Sequence, residues 1–391
     1  MSKCKVYLLP GEETRILEGH SWVYNNEVLR LEGDIVSGDI VDVYSSLNKF
    51  IGKGFLNTQS KIFVRIVSRK DVEIDYDFFN QIIVKANQYK TELGFQNSYR
   101  VLFAEADGMP GLIVDKYGEY LSIQILSLGI DKRKQIFIDI LVSLFHPKGI
   151  YERSDVPIRT KEGLDLFKGT IYGDVPDEVL IEENGIFLSV DLKSGQKTGT
   201  FLDQQANHFA LQSYVNQKDV LDCFSHIGSF ALHAKKANAK NVTAVDISEV
   251  ACNRIKKNAK LNELEIKVVQ ANVFHLLRDY QAENKKFDVI ILDPPAFAKT
   301  TSKIASAYKG YKDINLQAMK LISNGGYLIT ASCSHFMTPA LFLQMLKEAE
   351  NDAQKTCQMI DFRIQGKDHP TLLGSEETLY LKLVVLRVLD K

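Results

Sequence analysis

The chain has 391 residues, more than one small core requires, and 45% are hydrophobic and 25% charged. That is ordinary globular usage, and it excludes a largely disordered or fibrous protein. Lys and Arg number 48 against 49 Asp and Glu, a formal net charge of −1, so a polyanionic partner would have to be met by a local patch. No apolar run approaches the roughly 20 residues that span a bilayer, and the first residues lack the apolar stretch of a secretory signal. The five cysteines (Cys4, Cys223, Cys252, Cys333 and Cys357) are widely spaced, with no CxxC pair. The expectation is reduced thiols in a cytoplasm, with no structural zinc site and no membrane.

Residues 1–72 read as β-rich. Short runs such as Val6-Tyr-Leu-Leu9, Ile40-Val-Asp-Val-Tyr44 and Ile62-Phe-Val-Arg-Ile-Val67 are bounded by turn residues and suggest a small barrel or sandwich. This segment carries the only tryptophan, in Gly19-His-Ser-Trp22, and a net charge of only +2 over residues 1–70. Residues 73–175 predict a separate α+β unit. A helix is expected over Asp77–Leu93, with Phe78, Ile82, Ile83, Ala86 and Tyr89 on one face, then strands near residues 101–103, 111–115 and 121–125 and a helix over Lys132–Phe145. Residues 169–190 look like hairpin material.

From about residue 215 strands alternate with helices. Strands are expected at Asp219–Asp222, Val242–Asp246, Ile266–Gln270, Phe287–Leu292 and Gly326–Thr330, and helices at Ser229–Ala239, Val250–Asn262 and Asp313–Ile322. That order implies a doubly wound parallel sheet, closed by an apolar strand over Tyr380–Leu386. The domain assignment is therefore 1–72, 73–175 and 176–391.

The first strand of this series empties into Asp222-Cys-Phe-Ser-His-Ile-Gly228 just before a helix, a nucleotide-type turn. The second ends in Asp246, placed to accept ribose hydroxyls. The G-x-G-x-x-G that lets a backbone approach a pyrophosphate is absent. A ligand with a ribose but no phosphates fits better, which points to S-adenosylmethionine and away from a nicotinamide dehydrogenase. The alternative is an ordinary α/β turn with a surface Asp. Asn272, after the third strand, is either an adenine contact or an Asx turn.

The fourth strand runs into Asp293-Pro-Pro-Ala-Phe297, a rigid loop able to hold a flat base, and the fifth into Thr330-Ala-Ser-Cys-Ser-His335. Strand ends of a parallel sheet share one cleft, so Asp293 and Cys333 should face it with Asp246. A thiol beside an acid and a methyl donor suits nucleophilic addition to C6 of cytosine, which activates C5. Equally, Cys333 could be a small buried hydrophobe.

Taken together, the motifs resemble the bacterial large-subunit ribosomal RNA cytosine-C5 methyltransferase family, a PUA domain followed by a class I methyltransferase domain with a Rossmann-like sheet. The resemblance rests on Gly19-His-Ser-Trp22, Glu105-Ala-Asp-Gly-Met-Pro-Gly-Leu-Ile-Val-Asp115, Tyr151-Glu-Arg-Ser-Asp155, Gly195-Gln-Lys-Thr-Gly199, Phe201-Leu-Asp-Gln204, Leu221-Asp-Cys-Phe-Ser225, Leu292-Asp-Pro-Pro295, Gly310-Tyr-Lys-Asp-Ile-Asn315, Ser332-Cys-Ser-His335 and Asp368-His-Pro370. It implies an RNA-binding N-terminal domain and an S-adenosylmethionine site lined by Asp222, Phe224, Ser225, Gly228, Asp246, Asn272, Asp293 and Gln204. It also implies Cys333 as nucleophile, Asp293 at the cytosine edge and large-subunit ribosomal RNA as partner, with a homodimer as a candidate assembly.

Three departures stand out. The family's Arg-x-Asn-Arg is here Gln205-Ala-Asn-His208, Ala296 replaces a common Lys, and the fourth strand lacks the cysteine of other cytosine-C5 RNA methyltransferases. A guanine-N7 ribosomal RNA methyltransferase and a non-catalytic RNA-binding assembly factor are the alternative functions on this fold.

Overall fold

A computed structural model of the chain describes residues 4–298 and 300–391. It contains two compact units: Met1–Ile181, Val190–Asp203 and Lys367–Thr378 form one, and Glu182–Ser189, Gln204–Gly366 and Leu379–Lys391 form the other.

In the first unit the strands Lys5–Leu8, Trp22–Tyr24, Val28–Glu32, Ile40–Tyr44, Phe50–Leu56 and Ile62–Ser68 make a six-stranded sheet. Val6 and Leu8, Val41 and Val43, and Val64 and Ile66 bury alternate positions in one core with Ile16 and Val23, the period-two burial of half-buried strands. Gly54 permits one close strand pairing, since a Cβ there would lie 2.3 Å from the Arg65 carbonyl oxygen.

A five-stranded sheet follows, made of Ser98–Phe103, Leu112–Tyr117, Tyr120–Ile125, Gly149–Ser154 and Phe167–Gly173. The helix expected at Asp77 starts at Tyr76 and ends at Glu92, because the Asp75 carboxylate accepts the Phe78 N–H (3.0 Å) and caps it. Phe79, Ile83 and Ala86 of that helix and Phe137, Ile140 and Leu141 of the helix Lys134–Phe145 pack with Val101, Val114 and Ile123. Burying each of the larger side chains contributes about 1.5–3 kcal/mol.

Several motifs named above form the polar framework of this unit. Trp22 Nε1 donates to Glu105 Oε1 (2.8 Å), and Arg65 bridges Glu105 and Glu162 (3.3 and 2.8 Å). Arg100 forks onto Asp115 (2.8 and 2.7 Å) while its N–H donates to Asp368 (2.9 Å). Arg153 holds the carbonyls of Leu192 and Gly195 (3.1 and 2.8 Å). Their arrangement fits a structural role, as planar Arg–carboxylate pairs suit buried positions.

The second unit is built on seven strands: β1 (Asp219–Cys223), β2 (Asn241–Asp246), β3 (Lys267–Gln270), β4 (Phe287–Leu292), β5 (Ile322–Ser332), β6 (Lys355–Arg363) and β7 (Lys382–Asp390). They lie in the order β3-β2-β1-β4-β5-β7-β6. Helices α1 (Ser229–Lys236), α2 (Glu249–Leu261), α3 (Val273–Ala282), α4 (Ile304–Leu321) and α5 (Pro339–Ala353) accompany them. Adjacent residues of the central strands face opposite cores. Leu221, Ile290, Leu292 and Leu328 pack with α3, α4 and α5, whereas Val220, Val289, Ile291 and Ile329 pack with Phe230, Ala231 and Ile255 of α1 and α2. Burial on both faces is why these strands read as unbroken apolar runs.

The sheet departs from the all-parallel expectation at one edge. β7 runs antiparallel to both β5 and β6. The sequence pattern predicts none of α3, α5 and β6, although Thr338 caps α5 by accepting the Leu341 N–H (3.3 Å) and Pro339 occupies its first turn, a readable start signal. β6 is half exposed and lacks a clean alternation.

Candidate active site

The strand order reverses between β1 and β4, and at such a switch point an open α/β sheet leaves a crevice beyond its carboxyl ends. β1 empties into the turn ending at Gly228, where three backbones are left-handed: Phe224 (φ 64°), His226 (φ 52°) and Gly228 (φ 90°). Glycine adopts that conformation freely, but at Phe and His it costs about 1–3 kcal/mol each, strain typical of ligand-holding loops. The turn is braced from β2. Ser225 Oγ donates to the Asp222 carbonyl (2.8 Å) and accepts the Val245 N–H (3.0 Å), so that hydroxyl is spent on the turn itself. The His226 and Ser248 amides donate to the two carboxylate oxygens of Asp246 (3.0 and 2.9 Å). Each oxygen keeps acceptor capacity for a ligand hydroxyl. Asn272 is exposed, and its side-chain oxygen accepts the Phe274 N–H (2.9 Å), capping α3. The Asx geometry is therefore present.

Asp222 lies beneath this turn, fully buried, its carboxylate oxygens making no close hydrogen bond among the described residues beyond the weaker influence of the Ser225 side chain and the Ala231 backbone. Burial, reinforced by the nearby Asp293 carboxylate, pushes it up to about 7. Asp293, just past β4, is oriented by a relay of side chains. Arg363 Nε donates to Asn207 Oδ1 (2.9 Å), Asn207 Nδ2 to Gln204 Oε1 (2.7 Å), and Gln204 Nε2 to Asp293 Oδ2 (3.1 Å). Gln204 thus sets the direction of the acid.

The loops after β4 and β5 are joined. Ser334 Oγ donates to the Ala298 carbonyl (2.9 Å), and Cys333 Sγ lies 3.9 Å from the Pro294 carbonyl oxygen. Phe297 packs on Tyr311 (ring centroids 4.6 Å apart), whose hydroxyl accepts from Ser332 Oγ (3.2 Å). Cys333 is partly exposed. Burial pushes the thiols of Cys4, Cys223, Cys252 and Cys357 up, that of Cys357 to about 12. Those four are poor thiolates near neutral pH.

Behind Asp222 and Asp293 is a cluster the sequence reading did not assemble. His208 Nδ1 is 2.6 Å from Glu183 Oε1, and His233 Nε2 is 3.7 Å from the same oxygen, all three residues being buried. His233 Nδ1 lies 2.8 Å from the Ser229 carbonyl, so that nitrogen carries the proton. Burial works against charge on Glu183, yet the two imidazoles outweigh it and hold the carboxyl below its ordinary range. Burial likewise opposes charge on His208, but Glu183, Asp293 and Asp222 overcome it and raise the imidazole. His208 thus supplies positive charge within the electrostatic reach of both site acids. No local pattern in the sequence links Glu183 to the two histidines.

These side chains fit S-adenosylmethionine. A buried carboxylate with no ion-pair partner among the described residues suits a ligand that brings cationic groups, the outward lone pairs of Asp246 suit a ribose, and the turn offers one glycine where a pyrophosphate needs several.

Comparison with known proteins gives the families of both parts of the chain. Residues 6–69 match the PUA-like domain, and residues 169–364 match the S-adenosylmethionine-dependent methyltransferase family. The chain is 39% identical to the ribosomal RNA large subunit methyltransferase I of Aeromonas salmonicida, covering 98% of both chains. It is 39% identical to the Vibrio cholerae protein of the same name, covering 98% of this chain and 99% of that one. Two solved structures share the fold over 98% of this chain and 99% of theirs: a methyltransferase complexed with SAH (TM-score 0.85, 22% identity) and an S-adenosylmethionine-dependent methyltransferase from Streptococcus mutans (TM-score 0.83, 21% identity). With identity of this level sustained from end to end, the chain belongs to the ribosomal RNA large subunit methyltransferase I family of S-adenosylmethionine-dependent methyltransferases.

Proposed function

We propose that this protein methylates C5 of a cytidine in large-subunit ribosomal RNA, with Cys333 as nucleophile and Asp293 holding the base. The observation that carries this reading is the placement of Cys333: partly exposed, at the carboxyl end of β5, with Sγ 3.9 Å from the carbonyl of Pro294, the residue after Asp293. The relatives' names support ribosomal RNA as substrate, and the PUA-like six-stranded sheet is the candidate RNA-binding surface. The turn from Asp222 to Gly228, with Asp246 and Asn272, would hold S-adenosylmethionine, which supplies an electrophilic methyl group when bound.

The residues then divide the work. The Cys333 thiolate bonds to C6 of cytosine, and the electron pair of the C5–C6 double bond becomes available at C5. Asp293, in its acid form, donates to N3 and neutralises charge that builds on the ring. Gln204 fixes the carboxyl for that contact, so its part is orientation. After C5 has taken the methyl group, its proton leaves to water, N3 gives its proton back to Asp293, the C5–C6 double bond re-forms and the Sγ–C6 bond breaks to return the thiolate. The net products are 5-methylcytidine, S-adenosylhomocysteine and one proton.

The test is nucleoside mass spectrometry of large-subunit RNA incubated with the protein and deuterated-methyl S-adenosylmethionine. The label is expected in 5-methylcytidine. Label in 7-methylguanosine would overturn the cytosine assignment, and no label at all would favour the assembly-factor reading.

A further inference from the structure

Lys382, the first residue of β7, pairs in register with Ser332 of β5, the residue before Cys333. Its side chain is fully buried, which is expensive for an ammonium unless something compensates. Two of its three N–H groups have partners, and both partners are neutral backbone oxygens: the Ser334 carbonyl (2.6 Å) and the Tyr380 carbonyl (2.9 Å). Among the described residues no carboxylate forms an ion pair with it. Ser334 is the residue after Cys333, so the ammonium is anchored to the backbone that carries the thiol. Burial lowers Lys382 to about 8, and the charge of Cys333 acts in the opposite direction.

We propose that Lys382 is a positioning residue for the nucleophile, its buried ammonium stabilising Cys333 as the thiolate. This rests on the reading of Cys333 as the attacking group. The thiol proton leaves to water, Lys382 keeps its three protons, and the third N–H faces no other described partner. Among the described residues, further titratable groups near this thiol include Asp293, Tyr311 and His335, which lies two residues on in the same loop. Asp293, on the loop after β4, opposes a thiolate only while it is ionised and not in the acid form that donates to the base. Tyr311 of α4 is pushed up by burial, remains neutral at physiological pH and contributes no charge. Among the described residues Lys382 is a cation anchored to this loop, and a thiol beside a cation ionises below the ordinary value of about 8.5. A buried cation without a carboxylate is then understandable, because its counter-ion is the thiolate made at each turnover.

The test is the pH dependence of iodoacetamide alkylation at Cys333, read by peptide mass spectrometry on the full-length chain without RNA or cofactor. In the unmodified protein the midpoint is expected at least one pH unit below 8.5. In Lys382→Met it is expected to rise by a unit or more, which lowers the thiolate fraction at pH 7 about tenfold. An unchanged profile in a folded Lys382→Met protein overturns the proposal. If that variant does not fold, the unmodified protein decides alone, and a midpoint at or above 8.5 overturns it. The nucleophile reading fails separately: a shifted profile together with full methylation by Cys333→Ala would keep the ion pair and remove its catalytic purpose.

Discussion

Cys333→Ala is expected to lower methyl transfer to RNA by about four orders of magnitude or more, the scale on which loss of a covalent nucleophile acts. Cytosine C5 has little nucleophilicity until a group adds at C6, so no other residue can make up the loss by positioning alone. Cofactor affinity should stay within about twofold, because the residues expected to hold S-adenosylmethionine lie at the ends of β1 to β4 and at Gln204, and none lies on the loop after β5 that carries Cys333. The substitution removes one partly exposed sulfur, so the fold should survive. Calorimetry with S-adenosylmethionine and single-turnover methylation on the same preparation separate the two effects. Guanine N7 already carries a lone pair and needs no thiol, so a guanine-N7 enzyme would keep most of its activity in this variant.

Glu183→Gln is expected to destabilise the second unit by about 3–5 kcal/mol, the cost of removing one partner of a buried pair and leaving the other charge uncompensated. Glu183 and His208 are both buried and 2.6 Å apart. The pH dependence follows from the directions of the shifts. The raised His208 contributes stability that is complete below the ordinary histidine value near 6.5 and is lost as pH rises through its folded value. The lowered Glu183 contributes stability present above the ordinary carboxyl value near 4.5 and lost as pH falls through its folded value. The difference between the unmodified protein and Glu183→Gln should therefore be largest between about pH 4.5 and 6.5 and shrink at alkaline pH, where His208 is neutral. Denaturant titrations at pH 6 and pH 9 check this. A penalty that is equal at both would show that the pair is not charged in the native protein.

The part of this molecule that could be read from sequence is the part governed by local periodicity and by parallel-sheet topology. Apolar runs mark β1 to β5, and the rule that strand ends share a crevice assigns Asp222, Asp246, Asp293 and Cys333 to one edge from the sequence alone. Asn272 is legible as an Asx turn, and that geometry forms, but the helix it caps is not read from the sequence. What escaped depends on residues far apart in the chain. Lys382 sits in Leu-Lys-Leu, a pattern that normally turns the lysine to solvent, yet pairing of β7 between β5 and β6 buries it. Glu183 reaches His208 and His233 from a segment that reads as an ordinary hairpin. The relay from Arg363 through Asn207 and Gln204 to Asp293 joins the end of β6 to the helix that begins at Gln205, and β6 itself was not anticipated. The left-handed backbones of Phe224 and His226 leave no compositional trace, because neither residue type announces that conformation.

The central claim is a covalent bond between Cys333 and C6 of a cytosine, and trapping that bond tests it most directly. Large-subunit RNA transcribed with 5-fluorocytidine should react as far as methyl transfer and stop, because fluorine in place of the C5 proton blocks release of the thiolate. With S-adenosylmethionine present, the account predicts a protein–RNA species that survives denaturing electrophoresis, with the crosslinked peptide mapping to Cys333 and no such species from Cys333→Ala. Complete turnover on the fluorinated RNA without any trapped species, or a crosslink at another cysteine, would contradict it.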